Sequence, residues 1–205
     1  MNLILIGIIL ILLLLILINN ISSINNISSI SSISSINNNN NNNNNKMKNP
    51  YLIALTLGKK YINSLKKIKN DLNSPAVMFD IDGTLFDDYL KPIKEIIDLL
   101  FYCKKQGFLI IIITARSHEN LYIETIDLLD SYKIPYDLIY LHKRNQPFEP
   151  FKSNIKRDLY INNKISTVMS VGDNTIDVIG DYSGYYLKLP NYQDPLLYDN
   201  NGVVK

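Results

Sequence analysis

Four aspartates in two pairs carry the clearest chemical signal in the chain. Asp80 and Asp82 stand two residues apart in Asp80-Ile81-Asp82-Gly83-Thr84, directly after the apolar run Ala76-Val77-Met78-Phe79. Asp173 and Asp177 stand four apart in Gly172-Asp173-Asn174-Thr175-Ile176-Asp177, after a segment at 165–171 that reads as another strand. Two carboxylates just past a buried strand can both point into one crevice, and Gly83 permits the sharp exit the backbone then needs. With Asp177 one helical turn beyond Asp173, up to four negative charges converge. Like charges that close cannot all stay ionised without compensation. A hard divalent cation with oxygen ligands is the natural compensation, and Mg2+ suits a site that keeps waters and meets phosphate.

The elements that must position these residues alternate between strand and helix. Ala76–Asp80, 108–113, 136–141, 165–171 and 184–189 read as strands. Pro92–Gln106, 119–130, 151–160 and a short piece at 175–180 read as helices. The run at 108–113, Phe-Leu-Ile-Ile-Ile-Ile, is apolar throughout, as in a parallel strand buried on both faces. Such alternation predicts an α/β fold, a doubly wound, Rossmann-like parallel sheet. Sites in such sheets lie at the carboxyl ends of the strands, which brings Asp80, Thr114 and Asp173 near one another.

Charge is unevenly distributed. The first 45 residues contain no charged side chain, and segment 46–69 holds seven lysines and no acid. Residues 70–205 then carry 14 basic and 19 acidic side chains, a net of −5. A mildly acidic body argues against a nucleic-acid partner, which calls for a basic face. A single cysteine, Cys103, excludes an intrachain disulfide framework, and only two histidines, His118 and His142, argue against a histidine-rich metal site. Both histidines read as surface or loop residues and Cys103 as a small packing residue.

Segment 1–18 reads as an apolar helix that anchors the chain in a membrane. The alternative is a signal segment whose cleavage would release a secreted protein. Segment 19–50, with isoleucine every third residue among Asn and Ser, reads as a low-complexity tether. Segment 51–72 reads as an amphipathic helix packing on the body through Leu57, Tyr61, Leu65, Ile68 and Leu72. Residues 73–205 form the remaining domain.

In that domain, Val77-Met78-Phe79-Asp80-Ile81-Asp82-Gly83-Thr84, Thr114 in Ile113-Thr114-Ala115-Arg116, a following lysine and the acidic motif at 172–177 occur in order. This set resembles the four motifs of the haloacid dehalogenase superfamily of phosphohydrolases. The resemblance implies Asp80 as nucleophile and Asp82 as general acid and base. It implies Mg2+ held by Asp80, the Asp82 carbonyl and Asp173, with Asp177 nearby, and a phosphoryl oxygen bound by Thr114. A lysine would neutralise the phosphoryl charge. Lys152 and Lys156 compete for that role; Lys152 opens a helix, where the family has it, and Lys156 then reads as part of a solvated helix face. Arg116 either binds substrate or pairs with a carboxylate. Asp87 and Asp88 decorate the loop after the first motif or gate the substrate.

Only 29 residues separate Thr84 from Thr114 and 37 separate Thr114 from Lys152, so no sizeable cap domain fits and the site is expected to be open. Phe151-Lys152-Ser153, Lys156-Arg157-Asp158-Leu159 and the ending Gly184-Tyr185-Tyr186-Leu187-Lys188-Leu189-Pro190-Asn191 are similar to acid phosphatases of class B and of the plant storage-protein type. Asn174-Thr175 and Gly83 depart from that branch. The expected activity is hydrolysis of a phosphorylated small molecule. Its rivals are a polynucleotide end phosphatase and a membrane-tethered protein of this fold that binds without catalysing.

Overall fold

The computed structural model describes residues 49–69, 72–147, 149–191, 193, 198–199 and 202–203. The apolar run and almost all of the tether lie outside these residues. Among the described residues no helix is long and apolar enough to cross a membrane.

Helix α1 spans Pro50–Ser64. Asn49 starts it: its side chain accepts from the Tyr51 amide at 3.0 Å, and Pro50 occupies the first turn, where a missing N–H costs nothing. The helix stops earlier than the pattern predicts. At Ser64 the hydroxyl donates to the Tyr61 carbonyl at 2.7 Å, competing with the helical ladder, and Leu65–Lys67 continue as a 3-10 turn. Of the residues expected to pack on the body, Leu65 is buried and Leu57, Tyr61 and Leu72 lie against the core, whereas Ile68 is exposed. Ala54, Gly58 and Ile62 are buried as well, and the glycine lets the helix approach closely. A Cβ on Gly58 would sit 2.7 and 2.8 Å from the Leu99 methyls and 3.3 Å from Leu187.

The remaining elements follow the alternation: β1 Pro75–Phe79, α2 Lys94–Lys105, β2 Leu109–Ser117, α3 His118–Ser131, β3 Leu138–His142, α4 Phe151–Ile161, β4 Ser166–Gly172, α5 Thr175–Val178 and β5 Tyr185–Lys188. Two short strands close the sheet, β6 Tyr198–Asp199 and β7 Gly202–Val203. The sheet runs β3-β2-β1-β4-β5-β6-β7, parallel through the first five and antiparallel thereafter. Strand β2 runs through Thr114 to Ser117 rather than ending at Ile113. Its pairing with β3 shifts register between Thr114 and Ser117, which carries the polar end of the strand past a local irregularity.

Each central strand is buried on both faces. Val77, Phe79, Ile110 and Ile112 join Ile96, Leu99 and Leu100 of α2 and the inner side of α1. Ala76, Met78, Ile111 and Ile113 join Phe151 and Leu159 of α4 on the other side. This period of two on a continuous apolar run is the signature of a parallel sheet covered on both sides. Among the described residues, 80–93 hold turns and isolated bridges, and 143–147 with 149–150 hold turns, so neither segment carries a cap domain. The site is open, as expected.

Candidate active site

Strands β1 and β4 are neighbours at the point where the strand order reverses, which is where a crevice forms in a doubly wound sheet. Asp80 follows β1 and Asp173 follows β4. The Asp80 amide donates to the Val171 carbonyl at 3.1 Å, fixing the two strand ends together. Carboxylate oxygens of Asp80, Asp173 and Asp177 lie within 4.8 Å of one another, all three residues buried, and could hold a metal ion. Asp177 is placed by a capping box on the short α5: its Oδ2 accepts from the Asn174 amide at 2.9 Å.

Lys152 opens α4 and reaches into this cluster. Its Nζ donates to Asp80 Oδ1 at 2.5 Å and to Asp177 Oδ1 at 2.6 Å. Burial alone would pull the Lys152 value down; the two carboxylates reverse this and hold it above the ordinary lysine range. Asp80 is pushed up to about 8, first by burial and further by Asp177 and Asp173, against the pull of Lys152. Asp173 is pushed up to about 6 by burial and by Asp177. One ammonium among three carboxylates leaves the cluster short of positive charge.

Asp82 stands apart from that cluster. Its side chain is 54% exposed, and both oxygens are held by Arg116, Nε on Oδ2 at 2.8 Å and a terminal nitrogen on Oδ1 at 2.6 Å. Arg116 therefore takes the second of its two sequence readings: it pairs with a carboxylate, in the planar two-point geometry that guanidinium favours. Gly83 (φ +71°) turns the chain just past Asp82, and a Cβ there would lie 2.5 Å from Asp173 Oδ2. Thr114 is fully buried. The register Phe79 to Ile112 sets it just past the last β1 pair, level with the Asp80–Asp82 turn.

Lys156 is not on a solvated face. It is fully buried, and its Nζ donates to the carbonyls of Asp177 and Ile179 at 3.0 and 3.4 Å and to Ser183 Oγ at 2.6 Å. It fastens the segment that carries Asp177, while Lys152 alone of the two reaches the carboxylates. Cys103 is buried, and burial pushes its thiol up to about 12. Among the described residues, the carboxylate cluster includes neither histidine.

Sequence reasoning missed Asn191 and Tyr51. Asn191 follows β5 and donates to Asp173 Oδ2 at 2.6 Å and to Asn174 Oδ1 at 3.1 Å, steadying the Asp173 carboxylate. Its position just past a parallel strand was the available signal. Tyr51 reaches the site from α1 and lines a cavity of about 550 Å3 that also meets Gly83, Asp173 and the loop at 87–89. Burial raises the Tyr51 hydroxyl above its ordinary value, and Asp173, Asp87, Asp88 and Glu95 raise it further.

A family model described as haloacid dehalogenase-like hydrolase matches residues 77–137. Two solved structures share the fold. A class C acid phosphatase from Bacillus anthracis is 20% identical, with a TM-score of 0.53 over 73% of this chain and 80% of its own. The structure of that enzyme with tungstate bound gives 19% identity and a TM-score of 0.54 over the same shares. No curated protein matches the chain.

Proposed function

We infer that this chain, a haloacid dehalogenase-like hydrolase, hydrolyses phosphomonoesters of small molecules through a phosphoryl group carried on Asp80. The observation that carries this reading is the buried cluster of Asp80, Asp173 and Asp177 with Lys152 bonded to two of them. Hard oxygen donors short of positive charge fit Mg2+, with the three carboxylates and the Asp82 carbonyl as its ligands. Bound there, the ion would supply positive charge that keeps Asp80 ionised and offsets the charge of the phosphoryl oxygens.

In this reading a carboxylate oxygen of Asp80 attacks phosphorus, and the bond from phosphorus to the leaving oxygen breaks. Asp82 gives that oxygen a proton. It then takes one from the water that attacks the aspartyl phosphate, and inorganic phosphate leaves. The division of roles follows environment: Asp80 is buried beside the ammonium, while Asp82 is half in solvent and oriented by Arg116. Lys152 stands where negative charge develops, and Thr114 supplies a hydroxyl to a phosphoryl oxygen. The shared fold with an acid phosphatase supports the same reaction class. The apolar run at 3–18 would tether this activity to a membrane.

The full chain, in mild detergent, should hydrolyse p-nitrophenyl phosphate with Mg2+ and lose about 100-fold or more in EDTA. A folded protein that binds Mg2+ and turns over no phosphomonoester would defeat the reading.

Metal binding should also be visible in stability. The folded values of Asp80 and Asp173, about 8 and about 6, lie above the unfolded carboxylate value of 3.8. Between those values the folded state holds protons that the unfolded state has released. Raising the pH from about 4 to about 8 therefore destabilises the metal-free protein. Mg2+ must displace these protons, so its stabilising effect grows over the same interval. Thermal melts from pH 5 to 8 should show Tm falling in EDTA and a Mg2+ increment that widens. An increment independent of pH would contradict the ligand set.

A further inference from the structure

The cavity beside the carboxylate cluster is where the organic half of a substrate would lie, and its walls carry one sign of charge. Asp87, Asp88 and Asp173 line it together with the rings of Tyr51 and Tyr89, and among the described residues no lysine or arginine lines it. No ion pair among the described residues involves Asp87 or Asp88. The rim is ordered rather than loose. One oxygen of Asp87 accepts from the amides of Tyr89 at 2.9 Å and Lys91 at 2.8 Å, so the loop is wound around that carboxylate. Tyr89 is left 81% exposed at the mouth. The ring already has a cation near it: the Lys91 ammonium lies 5.9 Å from its centroid.

We propose that this cavity selects phosphomonoesters whose alcohol carries a positively charged amine. The inference rests on the phosphatase reading and names the substrate class for that same site. An ammonium held between two tyrosine rings and two carboxylates gains from the ring faces and from the charges. A neutral alcohol gains only packing on the rings. An anionic one, a nucleic acid end included, is repelled by the same carboxylates. Once a metal ion takes up Asp173, Asp87 and Asp88 still supply the field at the mouth, on the side away from the phosphoryl group. The arrangement thus separates the two ends of a zwitterionic substrate, phosphate toward Lys152 and ammonium toward the rim.

The test compares two substrates of the same shape. The full chain with Mg2+ is assayed on phosphocholine and on 3,3-dimethylbutyl phosphate, in which carbon replaces the charged nitrogen, with p-nitrophenyl phosphate as a reference. The expected result is a kcat/KM about 10-fold higher for phosphocholine. That ratio should fall to about 2-fold or less in Asp88→Asn and in Asp87→Asn/Asp88→Asn. Reading the ratio within each variant removes any common loss of activity. Equal kcat/KM on the pair, with p-nitrophenyl phosphate hydrolysed, overturns the proposal and leaves the phosphatase reading standing. So does a preference that survives both variants. No hydrolysis of any of the three overturns the phosphatase reading and this inference with it.

Discussion

Asp80→Asn should abolish hydrolysis and leave the protein folded. The amide keeps the shape of the carboxylate and keeps an oxygen to accept from Lys152, which sits 2.5 Å away. What it loses is the charge and the nucleophilicity, so the covalent step has no donor atom; a fall of at least about 1,000-fold in kcat is expected. Stability should move the other way. Three carboxylates share one buried ammonium, and removing one of them relieves repulsion that pushes Asp80 and Asp173 upward. The Asn variant should therefore melt in EDTA at the wild-type temperature or above it, and the increment given by Mg2+ should shrink because one ligand is gone. The two readouts together separate a lost nucleophile from a lost fold. Residual activity within about 10-fold of wild type would mean that another group attacks phosphorus.

The parts of this structure that sequence reveals are those governed by local rules. The central strands are visible because their residues are apolar on both faces; Val77 and Met78 go to opposite sides of the sheet and neither can be polar. Asp80, Asp173 and Asp177 are visible because they follow such strands, and strand ends converge. Other features depend on what lies across space. The close approach of α1 is set by Leu99 and Leu187, which reward the absence of a side chain at Gly58, a contact that hydrophobic periodicity does not register. Tyr51 enters the cavity only because α1 docks beside the site. Strands β6 and β7 are two residues each, too short for any alternation to register. The end of β2 is hidden because Thr114-Ala115-Arg116-Ser117 has turned polar, although the strand continues toward the site it serves. Lys152 and Lys156 look alike in the chain, one turn apart on one helix. Only the partners of their ammonium groups separate a lysine that meets the carboxylates from one that fastens a loop.

That distinction yields the largest expected effect on stability. Lys156→Ala should destabilise the protein by about 3–5 kcal/mol, enough to unfold a marginal domain. Lys156 is fully buried and donates to the carbonyls of Asp177 and Ile179 and to Ser183 Oγ. Ser183 Oγ in turn donates to Ile179 O at 2.9 Å, and Ser170 Oγ donates to Ser183 O at 2.7 Å. Alanine removes the donor to the Asp177 carbonyl and to Ser183 Oγ, leaves Ile179 O with the Ser183 hydroxyl alone, and leaves a cavity the length of the lysine stem. Lys156→Met separates the two costs: it fills most of the volume but supplies no donor, so about 1–3 kcal/mol should remain. The pH dependence identifies the charge itself. Burial lowers the Lys156 value from 10.5 to about 8, against the pull of Asp177. Between pH 8 and 10.5 the unfolded state holds a proton that the folded state has shed, so wild-type stability gains from this group as pH rises through that window. The gain should be absent in Lys156→Met, and urea titrations at pH 8 and pH 10 measure it directly. If the Met variant matches wild type at both values, the segment carrying Asp177 does not depend on this lysine. Its order would then come from the Asn174–Asp177 capping box and from the hydrogen bonds that Ser170 and Ser183 make without it.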